Sequence, residues 1–308
     1  MWYRAYGLAC GSEWPLPEPL LEGEAHLPKV VFRKDTANGL SATPDNVVSK
    51  GWYRAEWYPD GRIRFVWPGL LSCVLSADGD DVAVTPLGDD VAEGFITHLF
   101  GHVLSFALLK KGFEPLHSTV LAAPGGAIGI LGDSGYGKST LAAALMSAGL
   151  PLVTDDLLVL LPEGEDLMAQ PGLPRLKLWP EAAARFIPEA PSEPMAPGAQ
   201  KRIYPLESPR WTAEPRPLRT LYLLRRPVTR NVTSRVTIRT IPQASAFVEI
   251  TRNTFNSMLV DPVRLRGQFR FASDLAARVP VRSLTYPPGF EHLPDVVDRL
   301  VQDSSRER

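Results

Sequence analysis

The chain has 308 residues, 44% of them hydrophobic and 22% charged, which is enough apolar material for a large globular core with a smaller domain attached. A formal net charge of -1 provides no basic field for nucleic acid or for an anionic membrane surface, so neither is expected as a partner and any phosphate recognition has to be local. Two cysteines, Cys10 and Cys73, without a CxxC spacing support neither a disulfide framework nor a zinc site and point to a reducing, cytoplasmic setting.

The first residues, MWYRAY, lack the apolar core of a signal peptide, and later apolar runs are broken by Gly, Pro or charge before reaching spanning length, so a soluble protein is expected. Residues 51–58 (GWYRAEWY) alternate aromatic and polar side chains, turn at Pro59-Asp60-Gly61 and resume with Ile63, Phe65 and Trp67, the pattern of a β-hairpin. Strands are predicted over 71–75 and 82–86. A helix is predicted over 91–111, where Phe95, Leu99, Val103, Phe106 and Leu109 recur at helical spacing and Gly112 supplies the stop. Residues 1–112 then form an N-terminal β-rich α+β domain with a closing helix, and residues 113–308 a second domain.

In the second domain, residues 116–122 and 127–131 read as strands joined through Pro124-Gly125-Gly126. So short a link forces an antiparallel pair, because parallel strands need a long crossover. The second strand runs straight into Gly132-Asp133-Ser134-Gly135-Tyr136-Gly137-Lys138-Ser139, which matches GxxxxGK[ST] at every fixed position. A helix follows over 138–148, ended by Gly149, then strands over 151–154 and 157–161. Residues 188–197 hold too many prolines for a helix and too few apolar side chains to pack, and read as a mobile loop or lid. Strands over 218–224 and 232–241 and helices over 243–259 and 262–277 complete the chain, with no internal repeat.

A strand, a glycine-rich loop and a helix N-terminus in this order cradle a phosphate chain: the glycines let backbone N–H groups turn inward, and the helix dipole points its positive end at the same place. Residues 132–140, through Thr140, are the expected nucleotide-binding stretch, with ATP as the nucleotide. Lys138 is expected on the β- and γ-phosphates and the Ser139 hydroxyl on Mg2+. Asp155 and Asp156 follow the apolar run Leu152-Val153-Thr154. Either one carboxylate binds the metal while the other faces an acceptor hydroxyl, or the pair is a solvated acidic turn. His117, at the start of the strand paired with the loop strand, supports the base or is a satisfied core histidine. Lys201, beside Arg202, brings positive charge onto a transferring phosphoryl group or is surface charge. Arg175 and Lys177, in LPRLKLWP, face a substrate or water.

These motifs resemble the HPr kinase/phosphorylase superfamily, and within it the shorter HPr-kinase-like enzymes that phosphorylate lasso-peptide precursors. The resemblance is carried by Leu116-His117-Ser118, by GDSGYGKST and by Leu152-Val153-Thr154-Asp155-Asp156, in that order, and continues through PRLKLWP, Lys201-Arg202 and VPVRSLTYP. It implies an α/β P-loop kinase core of the HPr kinase/phosphoenolpyruvate carboxykinase type, with a mixed sheet. It also implies Asp155 as general base, His117 as its companion and Asp156 as a metal-associated acid. HPr kinases proper usually carry Glu just after the P-loop serine, where this chain has Thr140, and their signature segment after the acidic pair is not present. The function expected is an ATP- and Mg2+-dependent kinase acting on a hydroxyl, with a serine of a peptide or small protein as the expected acceptor. The alternatives are a nucleotide-dependent binding or regulatory module without transfer, or a kinase of a small hydroxylated metabolite.

Overall fold

The computed structural model describes the chain except residues 17–21, 23, 25, 36–39, 41, 52, 89–92, 189, 196–198, 227–234, 257–261 and 306–308. Parts of several predicted segments lie outside the described residues: Trp52 of the first hairpin, the start of helix 91–111, part of the 188–197 loop, the start of strand 232–241 and the end of helix 243–259. The fold is mixed α/β. The chain divides into two compact units, Met1–Phe113 with Glu193–Ala199, and Glu114–Ser192 with Gln200–Arg308.

The first unit is built on an eight-stranded sheet. Its strand order is Trp2–Ala5, Leu8–Ser12, Lys29–Lys34, Asp81–Pro86, Leu71–Leu75, Ile63–Trp67, Tyr53–Trp57, Asn46–Lys50. The last five of these form an antiparallel meander in which each strand pairs with its sequence neighbour across a short turn. Lys29–Lys34 pairs in parallel with both Leu8–Ser12 and Asp81–Pro86. In Ile63–Trp67 the alternation predicted from sequence holds: Ile63, Phe65 and Trp67 are buried, while Arg64 and Val66 are half-buried. A helical run covers this sheet, through Glu93–Thr97, a π-helical stretch His98–Val103 and Leu104–Lys110. Its aromatic side chains interlock with the strands, Phe100 on Phe32 at 4.4 Å and Phe106 on Phe65 at 4.7 Å between ring centroids. The predicted stripe took in Leu99 and Val103, but Phe100, Leu104 and Leu108 are equally buried. The π turn advances the helix by an extra residue, which widens the apolar face beyond what a 3.6-residue period gives.

The second unit holds the motifs. Leu152–Thr154, Thr119–Ala123, Gly126–Leu131 and Arg216–Arg225 lie side by side, and Arg216–Arg225 also pairs with Val281–Thr285. Thr119–Ala123 is antiparallel to both of its neighbours, whereas Gly126–Leu131 and Arg216–Arg225 are parallel. Helix Lys138–Ser147 is buried on all sides from Leu141 to Met146, as an Ala- and Leu-rich helix must be when it packs among other elements. The helices Gln243–Arg252 and Pro262–Arg278 contribute Ala246, Ile250, Ala272 and Leu275 to the core formed with Val120, Leu131, Val153 and Leu221.

Several predicted elements are corrected. The strand expected over 116–122 is two, Leu116–His117 and Thr119–Ala123, and the strand expected over 157–161 is also two, Leu157–Leu158 and Leu160–Glu163. The helix expected over 243–259 ends at Arg252, with Asn253 at its C-cap. Helices Pro180–Phe186 and Leu293–Ser304 were not anticipated. Among the described residues no helix is long and apolar enough to cross a membrane.

His102 sits on the π-helical stretch among the rings of Tyr53, Trp67 and Phe106, with centroids 5.3, 5.5 and 5.6 Å away. Burial lowers its pKa from 6.5 to about 4, so the imidazole is neutral in the folded unit. The unfolded chain takes up the proton first, so the stability this residue contributes is complete above pH 6.5 and is lost as pH falls toward 4. The loss is up to about 3 kcal/mol. Urea unfolding at pH 7, 5.5 and 4 is expected to show His102→Phe losing less stability than the parent by about that amount. Parallel losses in the two proteins would contradict the assignment.

Candidate functional site

The direction of three strands assembles the site. Thr119–Ala123 is antiparallel to both Leu152–Thr154 and Gly126–Leu131, so those two strands run the same way and end at the same edge of the sheet. Asp155 leaves one of them and Gly132 leaves the other. The strand between them begins at this edge, which puts His117 and Ser118 between the acidic pair and the glycine loop. Two strand spacings separate the two strand ends, about 10 Å.

At the loop, Gly135 and Gly137 hold φ of 80° and 96°, left-handed values at which a side chain would strain the backbone. Lys138 folds back so that its ammonium donates to the Gly132 carbonyl at 2.7 Å and the Asp133 carbonyl at 3.4 Å, drawing the ends of the loop together. Burial lowers the Lys138 pKa, and Asp156 and Asp155 work against that shift. Asp133 and Ser134 are exposed, and Ser139 and Thr140 are half-buried in the first helical turn. The Arg226 guanidinium covers the loop, donating to the Gly135 carbonyl at 2.7 Å and lying 4.7 Å from the Tyr136 ring centroid.

The acidic pair follows the end of strand Leu152–Thr154 and forms a tight turn, closed by the Leu157 N–H donating to the Asp155 carbonyl at 2.9 Å. Val120 stands opposite Thr154 before the turn and His117 opposite Leu157 after it, in a separate two-stranded pairing. Within the turn Asp156 has a φ of 68°, which is left-handed, a conformation that aspartate tolerates better than most residues. In a regular strand adjacent side chains point to opposite faces. Here both carboxylates reach Lys177: Asp155 Oδ2 accepts its backbone N–H at 3.0 Å, and Asp156 Oδ2 accepts its ammonium at 2.5 Å. The other Asp155 oxygen accepts the Thr119 hydroxyl at 2.9 Å.

The environments push these two carboxylates apart. Burial, followed by the charge of Asp156, raises the Asp155 pKa, against the opposing pull of Lys201 and Lys177. Burial would raise Asp156 as well, but Lys177, then His117 and Lys201, overcome it and hold the group far below the usual carboxylate range. The position expected for His117, in the strand paired with the loop strand, is corrected: that pairing starts at Thr119, and His117 pairs with the residue that follows the acidic pair. Its Nδ1–H donates to the Asp156 carbonyl at 3.2 Å, and burial lowers its pKa against the opposing pull of Asp156.

Lys201 belongs with the group, since its charge acts on Asp155, Asp156 and Lys138. Its neighbour Arg202 does not: its guanidinium binds the Ser192 hydroxyl and carbonyl at 2.7 and 2.6 Å. Arg175 is buried, on the strand that pairs with Arg202–Pro205. Two anchors escaped the sequence reading. Asn253 donates from its side chain to Glu249, accepts the Gly132 N–H on Oδ1 at 3.3 Å, and accepts the His117 N–H on its own carbonyl at 2.7 Å. It thereby ties the loop to the histidine strand, and only a residue just past a helix end hints at it in sequence. Arg264 and Glu114 form a buried pair at 2.7 Å, and Arg264 also donates to the carbonyls of Asn256 and Phe255, fixing the segment behind His117.

No protein-family model matches the chain, and no curated protein matches it. Among solved structures it is similar to the HPr(Ser) kinase/phosphatase from Coxiella burnetii, with 14% sequence identity over 62% of this chain and 95% of that chain and a TM-score of 0.34.

Asn253→Ala removes the acceptor for Gly132 while leaving the backbone acceptor for His117. Hydrogen exchange is expected to quicken at the Gly132 amide and stay slow at the His117 amide, with a stability loss of about 1 kcal/mol. Equal protection of Gly132 in the two proteins would contradict the anchoring role.

Proposed function

We propose that this chain is an ATP-dependent kinase that transfers a phosphoryl group to a hydroxyl, with a serine of a peptide or small protein as the acceptor. The observation that carries the reading is the meeting, at one sheet edge, of the glycine loop with two carboxylates that diverge in environment. Three lysines, Lys138, Lys177 and Lys201, surround two carboxylates there. A surplus of positive charge suits a triphosphate, because phosphoryl transfer is mostly positioning and charge stabilisation.

In this mechanism the loop N–H groups and the N-terminus of helix Lys138–Ser147 hold the phosphate chain, and Lys138 turns from the Gly132 carbonyl to the β- and γ-oxygens. The acceptor oxygen bonds to the γ-phosphorus as the bond to the bridging oxygen breaks. The hydroxyl proton passes to Asp155, and the nucleoside diphosphate leaves. Asp155 aligns the hydroxyl through the orientation that Thr119 and the Lys177 N–H impose on it, and takes the proton late, since a carboxylate is a weak base toward an alcohol. His117, through its bond to the Asp156 carbonyl, keeps the left-handed turn in place.

The donors fit Mg2+: Asp156 and the Ser139 hydroxyl are hard oxygen ligands, and among the described residues no cluster of three or more His, Cys, Asp or Glu offers a full cage. That set suits an ion held by one or two protein oxygens together with substrate phosphates. When bound, the ion would neutralise charge developing on the phosphate oxygens.

Lys138→Ala is expected to weaken ATP binding at least about tenfold and to lower turnover with it. Calorimetric titration checks the first and phosphate release the second; unchanged values in both would overturn the loop assignment. Asp156→Asn is expected to move half-maximal activity to higher Mg2+ while leaving the nucleotide-dependent maximum detectable. A Mg2+ titration with phosphate on serine peptides read by mass spectrometry tests this together with the acceptor class. A protein that binds ATP and modifies neither peptide nor metabolite hydroxyls would instead be a nucleotide-dependent switch.

A further inference from the structure

Lys177 occupies one of the two Asp156 carboxylate oxygens that could ligate a metal. Its ammonium lies 2.5 Å from Asp156 Oδ2, with both side chains largely covered, 14% and 22% exposed. The rest of the residue is fixed: its N–H is bonded to Asp155 Oδ2 at 3.0 Å, and its strand, Arg175–Leu178, pairs with Arg202–Pro205, setting Lys177 opposite Ile203. The backbone is therefore anchored at the acidic pair while the ammonium sits at the end of a flexible four-carbon stem. An ammonium and a divalent cation on one carboxylate repel each other, the more so in a site that already holds a surplus of positive charge, so binding of one opposes the other. A phosphate chain arriving with the metal would offer the displaced ammonium a new anionic partner.

We propose that Lys177 is an exchangeable cation: it holds Asp156 when no divalent cation is bound, and swings onto the phosphate chain when a metal-nucleotide complex takes that carboxylate. The proposal rests on the nucleotide-binding reading above. It gives Lys177 two jobs in succession. In the free protein it keeps Asp156 oriented with its left-handed backbone already set, and in the loaded protein it is a third lysine contact to the phosphates beside Lys138 and Lys201.

The competition is measured with Mn2+ alone, by electron paramagnetic resonance, on the parent, Lys177→Met and Lys177→Arg. Lys177→Met is expected to bind Mn2+ roughly tenfold tighter than the parent, because the competing cation is gone, and Lys177→Arg to follow the parent. With Mn2+ and a non-hydrolysable ATP analogue the order reverses: Lys177→Met is expected to bind the complex roughly tenfold more weakly, because a phosphate contact is lost. A lysine that merely braces the strand would weaken both affinities, and unchanged Mn2+ affinity in Lys177→Met would overturn the exchange. A parent protein that binds Mn2+ but not the analogue would overturn the nucleotide reading and the phosphate half of the exchange, while the Mn2+ comparison still decides the competition on Asp156. The parent protein gives a check that needs no variant. Acetylation of Lys177, read by mass spectrometry, is expected to rise when Mn2+ is added and to fall again when the analogue is added with it. Labelling that ignores Mn2+ would contradict the proposal.

Discussion

The site depends on one constraint, the antiparallel hairpin formed by Thr119–Ala123 and Gly126–Leu131. A two-residue turn at its far end leaves the chain no room for a crossover, so the strand entering the glycine loop must run against the strand before it. Once Leu152–Thr154 adds to the outer side of that hairpin, also antiparallel, the glycine loop and the acidic pair are brought to the same edge with His117 and Ser118 between them. No loop has to fold over to assemble the group. Backbone hydrogen bonds position it, and side-chain chemistry is laid on that frame.

The second determinant is a single residue's backbone. A regular strand through Asp155 and Asp156 would send their carboxylates to opposite faces, but the strand ends at Thr154 and the Leu157 N–H closes a turn on the Asp155 carbonyl at 2.9 Å. The left-handed φ at Asp156 belongs to that turn. Strain of this kind is tolerated where surrounding bonds fix it. Here the Asp156 carbonyl receives the Ser118 N–H and the His117 Nδ1–H, each at 3.2 Å, while its carboxylate is held by Lys177. Two like charges at adjacent positions under heavy burial cannot both be held ionised cheaply, and the proximity of Lys177 to one of them splits their behaviour. Asp155, the more buried, is raised; Asp156, bonded to the ammonium, is lowered. The roles proposed for the two carboxylates are thus separable by environment although they are neighbours in sequence.

Much of this was legible in the sequence because it is local. The glycine pattern, the strand before it, the helix after it and the short turn that fixes the hairpin direction all lie within about thirty consecutive residues. What was not legible depends on partners far along the chain. Nothing local shows that 116–122 divides at Ser118, because the division arises where the partner changes from Ile130 to Leu157. Asn253 lies more than a hundred residues from the loop amide it accepts. Lys177 alternates with apolar neighbours in a way that fits a substrate-facing or a solvent-facing residue equally well, and only its pairing with Asp156 decides. In the first unit the meander could be read from alternation, whereas the two parallel pairings of Lys29–Lys34 could not, since parallel neighbours leave no short turn as a signature.

In the proposed mechanism Asp155 acts on the acceptor hydroxyl and not on the nucleotide. Asp155→Asn nearly preserves shape but removes the negative charge, so the most direct measurement compares ATP affinity and single-turnover phosphoryl transfer in this variant and the parent. The account predicts ATP affinity within about twofold of the parent and transfer slower by about 10²- to 10⁴-fold. Transfer at the parental rate by Asp155→Asn would contradict it.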